Sequence, residues 1–143
     1  LRIQIEEKCI WAVAFVEPKE IDTINILNAS IKAMHLALNQ IKTPFDHILI
    51  DGNRFKKYKE AEHTCVIKGD AKYLSIAAAS ILAKTHRDER MMQLSEMHPE
   101  YNWPSNKGYP TTAHRKAIEK YGSNDQHRLS FRLLPNQLKL FDN

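Results

Sequence analysis

His47-Ile48-Leu49-Ile50-Asp51-Gly52-Asn53, and further on Thr64-Cys65-Val66-Ile67-Lys68-Gly69-Asp70, are the stretches that decide how this chain folds. Each is a short apolar run closed by glycine and a carboxylate. Runs this short suit a strand covered on both faces, as strands of a parallel sheet are. A carboxylate at the carboxyl end of such a strand stands at the rim of the sheet, where α/β proteins build their sites. Alone, Asp51-Gly52-Asn53 is also an ordinary turn, because glycine admits positive φ and Asp or Asn caps the turn. Asp70 alone reads as the N-cap of a long helical run that reaches roughly to Met97. The pair carries more. If the two strands are parallel neighbours, Asp51 and Asp70 converge at one sheet end, where two carboxylates suit Mg²⁺.

Working outward, Ile10 to Val16 is a near-continuous apolar run that reads as another buried strand. Pro18 and Glu20 then open a helix. Within it Leu27, Ile31, Met34, Leu38 and Ile41 recur at spacings of four and three, which marks one packed face, and Pro44 ends it. The order strand, helix, strand, strand, helix implies an α/β sheet flanked by helices. Past Pro99 an irregular segment runs through Tyr109. A short helix follows from Thr111 to Tyr121 with Gly122 as its C-cap, then a polar tail.

The chain of 143 residues is long enough for one cored domain, so residues 1–143 read as a single unit. With 43% hydrophobic and 27% charged residues it falls in the ordinary globular class, neither collagenous nor disordered. A net charge of +4 tilts it toward polyanionic partners, as in many unrelated proteins. No apolar run is long enough to cross a bilayer. Cys9 and Cys65 lie in apolar runs without metal spacing, so both read as free buried thiols in a reducing cytoplasm.

On the long helix Tyr73, Ala77, Ser80, Lys84 and Arg87 share one face, while Leu74, Ala78, Ile81 and Thr85 form a mostly apolar stripe. Ser80 and Lys84 then lie beside a phosphate or are merely wet; spacing alone does not choose. Arg54-Phe55-Lys56-Lys57-Tyr58-Lys59 interleaves cations with aromatics, a solvated loop or a backbone-tracking contact to nucleic acid. Tyr109 sits between Gly108 and Pro110, which hold its backbone; its ring stacks on a sugar or base, or packs under the loop. The seven histidines have no metal-binding spacing; His35 and His47 read as structural.

Several of these stretches, in order, resemble the ribonuclease HII family: Ile24 to Ser30, Ile50 to Asn53, Val66 to Asp70, Ile76 to Lys84, Lys107 to Thr111 with His114, and His127 to Phe131. The resemblance implies a ribonuclease H-like mixed sheet with flanking helices and a C-terminal helical extension. It implies cleavage of RNA–DNA hybrids, and of DNA with embedded ribonucleotides, by Mg²⁺- or Mn²⁺-dependent phosphodiester hydrolysis. Asp51 and Asp70 would be catalytic metal ligands. Tyr109 would pack on the sugar at the RNA–DNA junction, and Lys68, Ser80, Lys84, Asn53 and Arg54 would lie near the substrate.

One departure qualifies this. The family's opening Asp-Glu pair and Gly-Arg-Gly stretch do not occur here, and Leu1 to Lys8 reads like the end of a helix. The expectation is therefore a domain whose first strands are missing, with two of four carboxylates and impaired cleavage. A noncatalytic nucleic-acid-binding fragment is the alternative. In the tail, Gln137, Leu138, Leu140 and Phe141 resemble the peptide that docks on the bacterial sliding clamp; folding back on its own domain is the other use of such a tail.

Overall fold

A computed structural model describes residues 1–134. The elements run α1 (Arg2–Lys8), α2 (Pro18–Gln40), β1 (His47–Asp51), β2 (Glu62–Val66), a 3₁₀ turn (Gly69–Ala71), α3 (Leu74–Met97), a 3₁₀ turn (Pro99–Tyr101), α4 (Trp103–Asn106) and α5 (Thr112–Tyr121). The class is α/β, with a two-stranded parallel sheet among the described residues. The described residues group into two compact units: Leu1–Phe15 with Ser30–His86, and Val16–Ala29 with residues 87–134.

In the first unit β1 and β2 pair in parallel, His47 opposite Glu62 and Asp51 opposite Val66. Gly52 N–H continues the ladder to Val66 C=O at 3.0 Å. Ile48 and Ile50 are buried with Tyr58, against Met34, Leu38, Phe45, Phe55, Ala61 and Cys65. Burial of each such aliphatic side chain contributes roughly 1.5–3 kcal/mol. The Tyr58 hydroxyl donates to Asn39 Oδ1 at 2.7 Å, and the Lys56 carbonyl meets His35 Nε2 at 2.9 Å. These contacts tie the segment between the strands to α2. At α1, Glu6 Oε1 accepts from Arg2 Nε at 2.7 Å and lies 2.9 Å from His86 Nε2.

In the second unit Leu94, Tyr101, Trp103 and Ile118 form a buried cluster, with Met91, Ala117, Leu133 and Leu134 against it. Helix α5 is capped at both ends: Thr111 Oγ1 accepts from His114 N–H, and Gly122 at φ 82° turns the chain out.

Several expectations change. Ile10 to Val16 forms no strand, and Ile10, Trp11 and Phe15 are exposed. An apolar run marks a preference for burial; it becomes a strand only where a neighbour supplies the ladder. Helix α2 is broken at Asn25, whose positive φ of 66° lets its side chain cap a new turn by accepting from Asn28 N–H at 3.1 Å. Asp70 lies inside the 3₁₀ turn and is not the N-cap of α3, which begins at Leu74. Leu74 is 86% exposed; Ile76 and Leu82 are the buried positions of that half of α3. Cys9 is exposed and Cys65 half-buried, so neither is a buried thiol. Among the described residues, no helix is long and apolar enough to cross a membrane.

Candidate active site

The parallel register brings the carboxyl ends of β1 and β2 to one edge of the sheet. Asp51 is the last residue of β1, with an exposed side chain. Beyond β2, Lys68 adopts the left-handed conformation, φ 55° and ψ 47°, and reverses the chain into the Gly69–Ala71 turn. That reversal aims the Gly69 N–H at Asp51 Oδ1, 2.9 Å away. Asp70, next along, is exposed. The Asp51 carboxylate is thus bonded to the residue that precedes Asp70.

Gly69 is buried because Ile76 of α3 lies against it. A β-carbon built there would stand 2.6 Å from Ile76 Cδ1 and 3.4 Å from Asp51 Oδ1. Only glycine lets the turn, the carboxylate and the first turn of α3 come this close. Sequence reasoning misses this role, although a lone glycine just before a candidate ligand is the available signal.

The remaining candidates are distributed as follows. Asn53 and Arg54 are exposed on the segment leaving Asp51, and Lys68 is exposed beside Gly69. Ser80 is half-buried and Lys84 exposed, one turn apart on α3. Among the described residues neither is joined to Asp51 or Asp70 by a hydrogen bond or ion pair. Tyr109 belongs to the second unit; its ring is 58% exposed. Its N–H donates to the Asn106 carbonyl at 2.8 Å, and its own carbonyl accepts from Thr111 N–H at 2.8 Å. Gln137, Leu138, Leu140 and Phe141 lie outside the described residues.

Carboxylate oxygens at an exposed sheet edge are the hard donors that Mg²⁺ or Mn²⁺ takes. Among the described residues, no three His, Cys, Asp or Glu side chains are grouped to enclose a metal. The pair therefore fits an ion that retains waters and shares a phosphate, and falls short of a closed cage.

Two features of the second unit lie outside what the sequence reading finds. Asp22 receives Leu129 N–H at 2.8 Å and Ser130 N–H at 2.9 Å, besides the Ser130 hydroxyl. Burial opposes its ionisation, yet these donors prevail and hold its carboxyl below the usual range. His114 and His127 form a buried pair, Nε2 to Nε2 at 3.3 Å. Burial first, then the neighbouring His114, pushes His127 down to about 4. Reading histidines only for metal spacing passes over such a pair.

The model of the family described as ribonuclease HII matches residues 1–134. A ribonuclease HII of Christiangramia forsetii is 61% identical over 141 residues, covering 98% of this chain and 71% of the relative. Those of Bacteroides fragilis and Phocaeicola vulgatus are 59% and 58% identical, over 99% and 94% of this chain and 71% and 67% of the relatives. The chain belongs to the ribonuclease HII family.

Proposed function

We propose that this chain is a ribonuclease H-type hydrolase, cutting the RNA strand of RNA–DNA hybrids and DNA at embedded ribonucleotides. Family membership supports the activity. The observation that supports a site here is the bond from Gly69 N–H to Asp51 Oδ1, which ties Asp51 to the residue preceding Asp70.

In this reading Asp51 and Asp70 hold Mg²⁺ or Mn²⁺. The chemistry such ions would supply when bound is activation of a water and stabilisation of the leaving oxygen. The residues of the chain do the rest. Gly69 fixes the orientation of the Asp51 carboxylate. Lys68, Lys84, Ser80, Asn53 and Arg54 are offered as contacts to the phosphate backbone, which orient the strand without reading sequence. Tyr109 stacks on the sugar at the junction and so senses the 2′-hydroxyl that separates RNA from DNA.

Two carboxylates balance the charge of one divalent ion better than that of two, so cleavage by this chain alone is slow. A duplex with one ribonucleotide in Mg²⁺ tests the reading. Weak cutting confined to the ribonucleotide is expected, lost in Asp51→Asn. Equal cutting of an all-deoxy duplex would overturn the ribonuclease reading. Fast cutting abolished by Asp51→Asn would overturn the impairment alone. A clamp-docking role for the 137–141 tail rests on its sequence, and unchanged clamp binding after Phe141→Ala would dismiss it.

A further inference from the structure

Tyr109 combines an exposed ring with a main chain bonded on every side. Gly108 N–H donates to Asn106 Oδ1 at 2.8 Å, and Asn106, itself buried, donates from Nδ2 to the Tyr101 carbonyl at 2.6 Å. The Tyr109 carbonyl takes a second donor besides Thr111 N–H: His114 Nδ1, at 3.0 Å. A carbonyl can only accept, so His114 carries its proton on Nδ1. The other nitrogen of the neutral ring, Nε2, must then accept.

Two groups face that Nε2. Trp103 Nε1–H lies at 3.3 Å and His127 Nε2 at 3.3 Å. The single lone pair of Nε2 serves the Trp103 donor, and the Nδ1 of His127 lies 3.1 Å from Asn124 N. Asn124 Oδ1, which accepts from Gln126 N–H at 3.0 Å, lies 2.9 Å from that Nδ1. One proton arrangement thus runs from Trp103 through His114 to the Tyr109 carbonyl. The aromatic ring of Tyr101 lies 4.7 Å from His127, and that of Trp103 5.5 Å, both nearly fully buried. Water does not compete with a chain enclosed in this way.

We propose that His114, held in one tautomer by Trp103, is a positioning residue that fixes the Tyr109 backbone so that its ring meets the ribose. The histidine touches no substrate; it acts through Tyr109. The inference rests on the proposed ribonucleotide-sensing role of Tyr109.

Two amides separate this role from a merely structural one. In His114→Asn, Nδ2 stands where Nδ1 stood and still donates toward Tyr109, while the acceptor for Trp103 is lost. In His114→Gln the terminal amide replaces Nε2, which keeps that acceptor and removes the donor to Tyr109. The probes are a duplex with one ribonucleotide and its all-deoxy counterpart, titrated by fluorescence anisotropy without divalent ions. The wild type is expected to prefer the ribonucleotide duplex, and Tyr109→Ala to abolish the preference. His114→Gln should lower it about fivefold, the value of one hydrogen bond, and His114→Asn should hold it within about twofold.

If Tyr109→Ala abolishes the preference but His114→Gln retains it, the positioning role is overturned and the function stands. The positioning role is likewise overturned if preference tracks melting temperature across the two His114 variants. If the wild type shows no preference, or Tyr109→Ala leaves it intact, the sensing role of Tyr109 fails and the inference falls with it.

Discussion

Gly69 N–H donates to Asp51 Oδ1 at 2.9 Å, so the residue before one carboxylate orients the other. The contact depends on there being no side chain at position 69, because a β-carbon would lie 2.6 Å from Ile76 Cδ1. Gly69→Ala should therefore cost about 1–3 kcal/mol through overpacking and displace the turn carrying Asp70. Chemical denaturation and Mn²⁺ titration would check this. Wild-type stability together with wild-type metal binding would refute it.

The buried histidines predict a pH dependence of stability. His127 is depressed to about 4 when folded against 6.5 otherwise, so the unfolded chain binds more protons between these values. Its contribution is complete above pH 6.5, is lost as pH falls toward 4, and levels off below. The loss should be on the order of 2 kcal/mol, allowing for relaxation around the ring. Urea unfolding from pH 7 to 4 would measure it, and His127→Gln should remove that slope. A slope unchanged by the substitution would assign it to other groups.

Asp22 makes a further prediction. Its carboxylate receives two backbone amides and a hydroxyl from Leu129 and Ser130, a charge-assisted set on a partly solvated surface. Asp22→Ala should cost about 1 kcal/mol and speed hydrogen exchange at both amides. Because the carboxyl lies below its usual 3.8 when folded, this contribution is present at neutral pH and fades as pH falls through the lowered value. Unchanged exchange at Leu129 and Ser130 would contradict the assignment.

What can be read from the residues is local or paired. The parallel strands behind Asp51 are legible because two apolar runs end in the same chemistry, and α5 because Thr111 and Gly122 are cap residues. Ile10 to Val16 misleads because hydrophobicity reports burial without naming a partner. Asp70 misleads because a 3₁₀ turn before a helix uses the same residues as an N-cap. The bond from Gly69 to Asp51 and the pairing of His114 with His127 are out of reach. Both depend on tertiary approach, which sequence spacing does not encode.

Asp51 and Asp70 are proposed to form one metal-binding edge. Mn²⁺ added in small steps to ¹⁵N-labelled protein reads this directly, since a bound paramagnetic ion broadens the nearest amide signals whether or not the chain cleaves. The signals of Asp51, Gly52, Gly69 and Asp70 should broaden first, and Asp51→Asn or Asp70→Asn should each abolish the effect. Broadening centred elsewhere, or unchanged in both variants, would contradict the account.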